Sequence, residues 1–195
     1  MTRKIVSTVA GAALLTALGA VPAAAQPDFS EQVEEVARTE LQKWITDPIF
    51  LYAIREQNVI NKRMDERKIK RLDRQWIAEN GRGPMIADLL GRQASVILRD
   101  RRELSNGVIT EIILMDRFGL NVAISDPTSD YYQGDEAKYQ DTYLKGPGAV
   151  HVSEVEFDES TQKYQTQVSM TVTDPEDGNP IGAVTFGIDL SVLQN

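Results

Sequence analysis

The 195-residue sequence has no cysteine and a single histidine, His151. The first absence excludes disulfides, thiol catalysis, cysteine-ligated zinc and attachment to lipid through a cysteine. The second excludes multi-histidine metal sites and leaves one imidazole for any acid–base role. That imidazole sits between Val150 and Val152 on a predicted strand, with no nucleophile or acid placed locally beside it. Walker, dinucleotide, Gly-x-Ser-x-Gly and His-Glu-x-x-His fingerprints are all missing. No catalytic residue is assigned, no cofactor is implied, and the chain is not expected to be an enzyme. Positive charge is also scarce, with 21 Lys and Arg against 29 Asp and Glu. The net charge of −8 argues against nucleic acid or an anionic membrane surface as the main partner.

Long apolar runs are confined to the start. Arg3 and Lys4 precede an apolar stretch from Ile5 to Val21, which Pro22 breaks before Ala23-Ala24-Ala25. A basic start, a short apolar run and small residues at its end describe a cleaved signal peptide over residues 1–25. The run falls short of the roughly 20 apolar residues that a membrane-spanning helix needs. The mature chain is expected to begin at Gln26, to carry a net charge of −10, and to be exported to a bacterial periplasm.

The rest of the chain changes period near Asn106-Gly107. Residues 26–106 read as helical, with apolar residues at helical spacing in Val33, Val36, Ala37, Leu41 and Trp44. Asp28 and Glu31 form an N-terminal cap signal, and Asp47-Pro48 predicts a kink or restart. Asn80-Gly81-Arg82-Gly83 reads as a loop, after which Pro84 opens another helix. Residues 107–195 read as five strands: Val108–Met115, Leu120–Ser125, Ala149–Phe157, Tyr164–Val172 and Ile181–Asp189. A short helix is expected around Asp135–Leu144. The fold class is therefore α+β, a long N-terminal helix or kinked helices packed on a five-stranded antiparallel sheet. Charge is divided the same way, with 13 basic and 7 acidic residues over 55–102 but 4 and 16 over 103–195. That division suits helices packed beside an acidic sheet, or a basic helical face meeting an acidic partner.

The segment from Ser125 to Tyr139, with Tyr143 close behind, concentrates hydroxyls, carboxylates, one ammonium and four tyrosines in one loop. Aromatic side chains wall a pocket at small entropic cost, while Asp126, Asp130 and Lys138 can orient a charged or hydroxylated small molecule. The alternative is a solvated loop with a structural cap at Asp135. Asp126, Thr128 and Asp130 alternate as the first ligands of a calcium loop do. Tyr131 stands where that loop needs glycine, and Ala137 stands where it needs a bidentate glutamate, so no metal is assigned.

Met115-Asp116-Arg117-Phe118-Gly119-Leu120-Asn121-Val122-Ala123 and the Thr128–Lys138 segment resemble the extracytoplasmic PAS-like sensor domains called Cache or PDC domains. The Phe157–Thr161 turn, Val168-Ser169-Met170-Thr171-Val172-Thr173-Asp174, Ile181-Gly182-Ala183-Val184 and Gly187-Ile188-Asp189-Leu190 extend the likeness. It is densest over residues 111–190 and is nearest to stand-alone periplasmic PDC sensor proteins; residues 26–195 together match a single-Cache layout. The resemblance implies a small-molecule pocket between the sheet and the loop and short helix that cover it, for an amine, an amino-acid-like molecule or a short carboxylate. Its floor would be the strand flanking Phe157 and the Val168–Val172 strand with Ser169, and its wall Tyr131, Tyr139 and Tyr143. Tyr139 falls where amino-acid-binding relatives carry a tryptophan, Lys138 lies near their carboxylate-binding arginine, and Asp189 falls on their amine-binding aspartate. Asp158 matches the aspartate of their Tyr-x-Asp pair, with Glu156 in place of the tyrosine. A lysine holds a carboxylate as a point charge, without the two-pronged grip of arginine.

Two functions follow as expectations. One is a periplasmic ligand-binding sensor that lacks its own transmitter and signals through a partner, such as a membrane receptor, with a homodimer through the N-terminal helix. The other is an interaction or scaffold protein that keeps the fold without a ligand.

Overall fold

The computed structural model describes Val33, residues 37–158 and residues 163–193. The leader, the Asp28–Glu31 cap signal and most of the turn after Asp158 lie outside the described residues.

The helices form where the capping chemistry starts them. After a single π-helical turn, Ala37–Leu41, comes α1 (Gln42–Ile45), followed by α2 (Pro48–Ile60). The break between α1 and α2 is the expected one: Asp47 Oδ1 accepts the Ile49 N–H at 3.1 Å, and Pro48 takes the first helical position. Helix α3 (Glu66–Glu79) is capped by Asp65, which accepts the Lys68 N–H at 2.9 Å, and it ends at Asn80 in a left-handed conformation. Glu79 then reaches over the loop and accepts the N–H groups of Met85 and Ile86, at 2.9 and 3.0 Å. It thereby caps α4 (Pro84–Gly91), whose own preceding residue, Gly83, has no side chain to do so. Helix α5 (Gln93–Leu104) completes the helical half.

The strands are β1 (Ile109–Asp116), β2 (Asn121–Ile124), β3 (Val150–Val152), β4 (Glu156–Asp158), β5 (Lys163–Thr173) and β6 (Pro180–Asp189). Short helix α6 (Ala137–Gln140) and a 3-10 turn (Tyr143–Lys145) cross between β2 and β3, and α7 (Leu190–Leu193) follows β6. The sheet is antiparallel throughout, in the order β2-β1-β6-β5-β3, with β4 also on β5. The five predicted columns are present, and the outer one is split into β3 and β4. Ser153 causes the split, because its Oγ accepts the Gln167 N–H at 2.9 Å while Thr166 Oγ1 donates to the Ser153 carbonyl. The side chain takes over one rung of the ladder and turns the strand away.

One face of the sheet is apolar. Ile112, Leu114, Val168, Met170, Val172, Val184, Phe186 and Ile188 are buried beneath Phe50, Leu51 and Ile54 of α2 and Leu98 of α5. Phe50 is buried there, and Trp44 packs edge-on against Phe186 at 6.4 Å. On the opposite face Ile113, Met115 and Ala183 join Trp76 of α3, Ile86 and Leu89 of α4, Tyr131 and Tyr139 in a second buried cluster. The helices therefore wrap around the β2 edge and reach both faces.

An ion pair fastens α2 to the β5–β6 hairpin. Arg55 grips Asp174 with two nitrogens, Nε donating at 2.7 Å, and its Nη2 lies 3.1 Å from Glu176. The Arg55 hydrogen bond, followed by that of the Glu176 N–H, holds the Asp174 carboxyl below its ordinary value. A carboxyl lowered on folding stabilises the native state above its unfolded pKa of about 4, and that contribution disappears as pH falls through the lower folded value. Asp174→Asn is therefore expected to lower the urea midpoint at pH 6, with the gap to wild type closing toward pH 2. An equal gap at both pH values would contradict the linkage.

Candidate functional site

The second face changes character along the strands, and the register shows how. Thr171 pairs with Ala183, which pairs with Met115; two residues on, His151 pairs with Ser169, Ser169 with Thr185, and Thr185 with Ile113. The next row is Gln167, Gly187 and Glu111, and the last is Gln165 with Asp189. Side chains two apart on a strand share a face. One face of the central strands β5 and β6 thus carries hydroxyls, amides and carboxylates where the reverse face carries Val, Met, Phe and Ile.

This polar face is not a solvated one. Ser169, Thr185 and Asp189 are fully buried, and Thr171 is 3% exposed. The strap formed by α6 and the 3-10 turn packs against β5 and β6, and its Tyr139 belongs to the cluster of Met115 and Ala183. The strap therefore covers the side that bears Thr171. Within this face the Ser169 and Thr185 hydroxyls bond each other at 2.9 Å. Gln167 Nε2 donates to Glu111 Oε1 at 2.8 Å, meeting it across Gly187 of the intervening strand. A Cβ at Gly187 would lie 2.3 Å from Thr110 Oγ1 and 2.8 Å from Glu111 Cγ, so only glycine leaves room for that crossing. Asp189 Oδ1 accepts the N–H and hydroxyl of Ser191, which starts α7. Thr171 Oγ1 is buried and has no hydrogen-bond partner among the described residues. A buried hydroxyl left this way costs about 1–3 kcal/mol unless something else meets it.

The strap itself is tightly organised. Tyr139 donates to the Arg117 carbonyl at 2.6 Å and stacks on Tyr143 with centroids 5.1 Å apart. Burial pushes both phenols above their ordinary value. Lys138 is 11% exposed in its side chain and lies 3.1 Å from Glu136 Oε2, also donating to Gln133 Oε1 at 3.2 Å. His151, on the outer strand, reaches to 3.9 Å from Asp141 of the strap.

The structure places the remaining sequence candidates elsewhere around this region. Asp126 stands at the end of β2, held by Arg102 and by the Ser125 hydroxyl at 2.9 Å. The Asp130 carboxylate accepts from the Ser129 hydroxyl at 2.8 Å, while its carbonyl accepts from Asn121, Thr128 and Gln133 side chains and anchors the loop. Tyr131 packs on Trp76, centroids 5.4 Å apart, because Asp73 of α3 accepts the N–H groups of both Tyr131 and Tyr132. Its ring stacks on Trp76 while Tyr139 stacks on Tyr143, and all of these rings belong to or pack against the second buried cluster. Burial pushes the Tyr131 phenol up to about 12. The Asp158 backbone ends β4 opposite Lys163, at the outer edge of β5, and its side chain lies outside those described.

The sequence matches no family model and no curated protein. Similar solved structures include ligand-binding and sensor domains of bacterial receptors. The sensory domain of the Campylobacter jejuni chemoreceptor Tlp3 is 17% identical, with a TM-score of 0.42 over 85% of this chain and 67% of that one. The ligand-binding domain of the Pseudomonas aeruginosa amino acid chemoreceptor PctC, in complex with GABA, is 16% identical, with a TM-score of 0.37 over 79% and 63%. The sensor domain of the Vibrio cholerae histidine kinase DctB is 16% identical, with a TM-score of 0.36 over 74% and 59%. This chain thus spans less than two thirds of the PctC and DctB chains. No helix among the described residues is long and apolar enough to cross a membrane.

Sequence reasoning named the Val168–Val172 strand as a floor but did not single out Thr171, Thr185, Gln167 or Glu111. The signal was present in Gln165-Thr166-Gln167-Val168-Ser169-Met170-Thr171, where polar residues recur at period two on a strand that proves to be central. Gln165 and Gln167 are half-buried, but Ser169 and Thr171 lie out of solvent under the strap, so water does not account for those two.

Proposed function

We propose that this chain is a small-molecule-binding sensor module, with its pocket on the polar face of β1, β6, β5 and β3 beneath the strap. The observation that carries the reading is the buried, unpartnered hydroxyl of Thr171 among Ser169, Thr185 and Gln167. A face that served only packing would be apolar, as its reverse is. In this reading Lys138 meets an anionic group of the ligand, Glu111 and Asp189 meet a cationic one, and the three hydroxyls fix its orientation. Asp126, Asp130, Tyr139, Tyr143 and Asp158 belong to the surrounding loop, strap and strand edge. An amine, an amino-acid-like molecule or a short carboxylate fits that set. The leader directs the chain to a bacterial periplasm, and the bound state is passed to a membrane receptor or to a second copy of the chain. Residues 26–195 act as one single-Cache unit in this proposal, and no catalytic step is part of it.

A second reading, a ligand-free interaction protein on the same fold, is favoured by the strap. Tyr139 is buried with its hydroxyl satisfied, and Lys138 is already paired with Glu136. Thermal shift of the mature chain against amino acids, small amines and two- to six-carbon carboxylates separates the two. The sensor reading expects one class to raise Tm by several degrees, and Thr171→Val to weaken that ligand about tenfold, as one lost hydrogen bond in a buried site would. If no member of the three classes shifts Tm, the sensor reading fails and the interaction protein stands.

A further inference from the structure

A cavity lies away from the polar sheet face, between α2, the start of α5, β2 and Tyr131. It encloses about 480 Å³, and Ala53, Ala94 and Val122 form an apolar floor. That volume is within the range of small-molecule sites.

Three polar side chains on its wall keep hydrogen-bonding capacity that no described residue uses. Tyr131 is 7% exposed, yet its hydroxyl has no hydrogen-bond partner among the described residues. Asn61 is also buried; its Nδ2 donates to Asp116 at 2.7 Å, which leaves its Oδ1 as an acceptor toward the cavity. Glu56, exposed at the mouth, makes no ion pair among the described residues. Arg92, the one cation on the wall, is already held by Asp88 at 2.9 Å and by Gln57 Oε1 at 3.1 Å. Gln57 in turn gives its Nε2 to Asp116 and to the Asn121 carbonyl.

The groups left unused on the wall select the ligand. The lining carries one carboxylate, Glu56, and one guanidinium, Arg92, whose charge Asp88 already meets. The unused groups include a carboxylate, an amide oxygen and a phenol, each able to accept a hydrogen bond. Tyr52 lines the same cavity, and its exposed ring offers a face to a cation.

We infer that this cleft is a second binding site, one that takes a small organic ammonium with a short apolar body and a hydrogen-bonding far end. The ammonium meets Glu56 and the Tyr52 ring, the alkyl body lies on Ala53, Ala94 and Val122, and the far end meets Tyr131 and Asn61. The site goes beyond the sensor reading and does not depend on it.

The probe is 4-aminobutan-1-ol, with 1-butanol and butyrate as controls, titrated into the mature chain. The readout is Trp76 fluorescence, since that indole stacks on Tyr131, together with Tm. A saturable change is expected with the aminoalcohol and none with the alcohol or the carboxylate. Glu56→Gln is expected to weaken it about tenfold, and Tyr131→Phe, which keeps the ring against Trp76, by several-fold. The absence of a saturable response in wild type, or wild-type affinity in both variants, would overturn the site. Thr171→Val separates this result from the other proposal: affinity lost in that variant alone puts the amine under the strap and overturns the cleft. If the amine binds and both cleft variants lose it, while no ligand responds to Thr171→Val, the cleft stands and the sensor reading fails.

Discussion

Asp116→Ala is expected to destabilise the protein by about 4 kcal/mol, the largest single effect among the polar side chains. The Asp116 carboxylate is fully buried and accepts four hydrogen bonds. Its Oδ1 takes the N–H groups of Phe118 and Leu120, at 2.8 and 3.0 Å, and so closes the β1–β2 turn. Its Oδ2 takes Gln57 Nε2 and Asn61 Nδ2, at 3.1 and 2.7 Å, and so ties that turn to α2. Alanine would leave four donors in a space too enclosed for water to serve them all, and each stranded donor has a cost of its own. Urea unfolding followed by circular dichroism gives the value. A loss below about 1 kcal/mol would mean that water replaces the carboxylate and that the turn holds without it.

Gly182→Ala is expected to cost about 3 kcal/mol and to lower Tm by roughly 10 °C. Gly182 lies in β6 between Asp116 of β1 and Val172 of β5. A Cβ there would stand 2.1 Å from the Met115 carbonyl oxygen and 3.2 Å from Ile54 Cγ2. The nearer atom is backbone of a neighbouring strand, so no rotamer change relieves the clash; β1 and β6 have to separate. Gly91 makes the comparison, because a Cβ added there meets nothing within 4 Å. Gly91→Ala is expected to leave Tm unchanged or slightly raised, as alanine is the better helix residue. A drop of the same size in both variants would refute the packing argument.

Much of this fold is legible in the sequence because its signals are local. Asp47 and Pro48 are neighbours, so the break between α1 and α2 can be read directly. The Asp116–Gly119 turn announces itself as well: Gly119 adopts a positive φ of 75°, and its backbone packs so close to Gly134 that a Cβ would sit 2.6 Å from the Gly134 Cα. What the sequence conceals is non-local. Asp116 reads as a turn residue, and its partners on α2 lie 59 and 55 positions away. The four tyrosines of the loop read as one cluster. Asp73, 58 residues before Tyr131, captures two loop amides and sets that ring against Trp76, while Tyr139 stacks on Tyr143. The β5 alternation is legible, but its meaning is not: polar residues at period two on a strand describe a solvated face until a strap is known to cover it.

The sensor proposal rests on one unpaired hydroxyl, and a crystal structure tests it at that atom. Crystals of the mature chain would be grown with the ligand that gives the largest thermal shift. The account predicts density beneath the strap, with a ligand oxygen or nitrogen within about 3.2 Å of Thr171 Oγ1. It also predicts a charged group of the ligand facing Lys138 or Asp189. A structure in which Thr171 Oγ1 is still without a partner, the strap is packed as it is now, and the ligand lies elsewhere would contradict it.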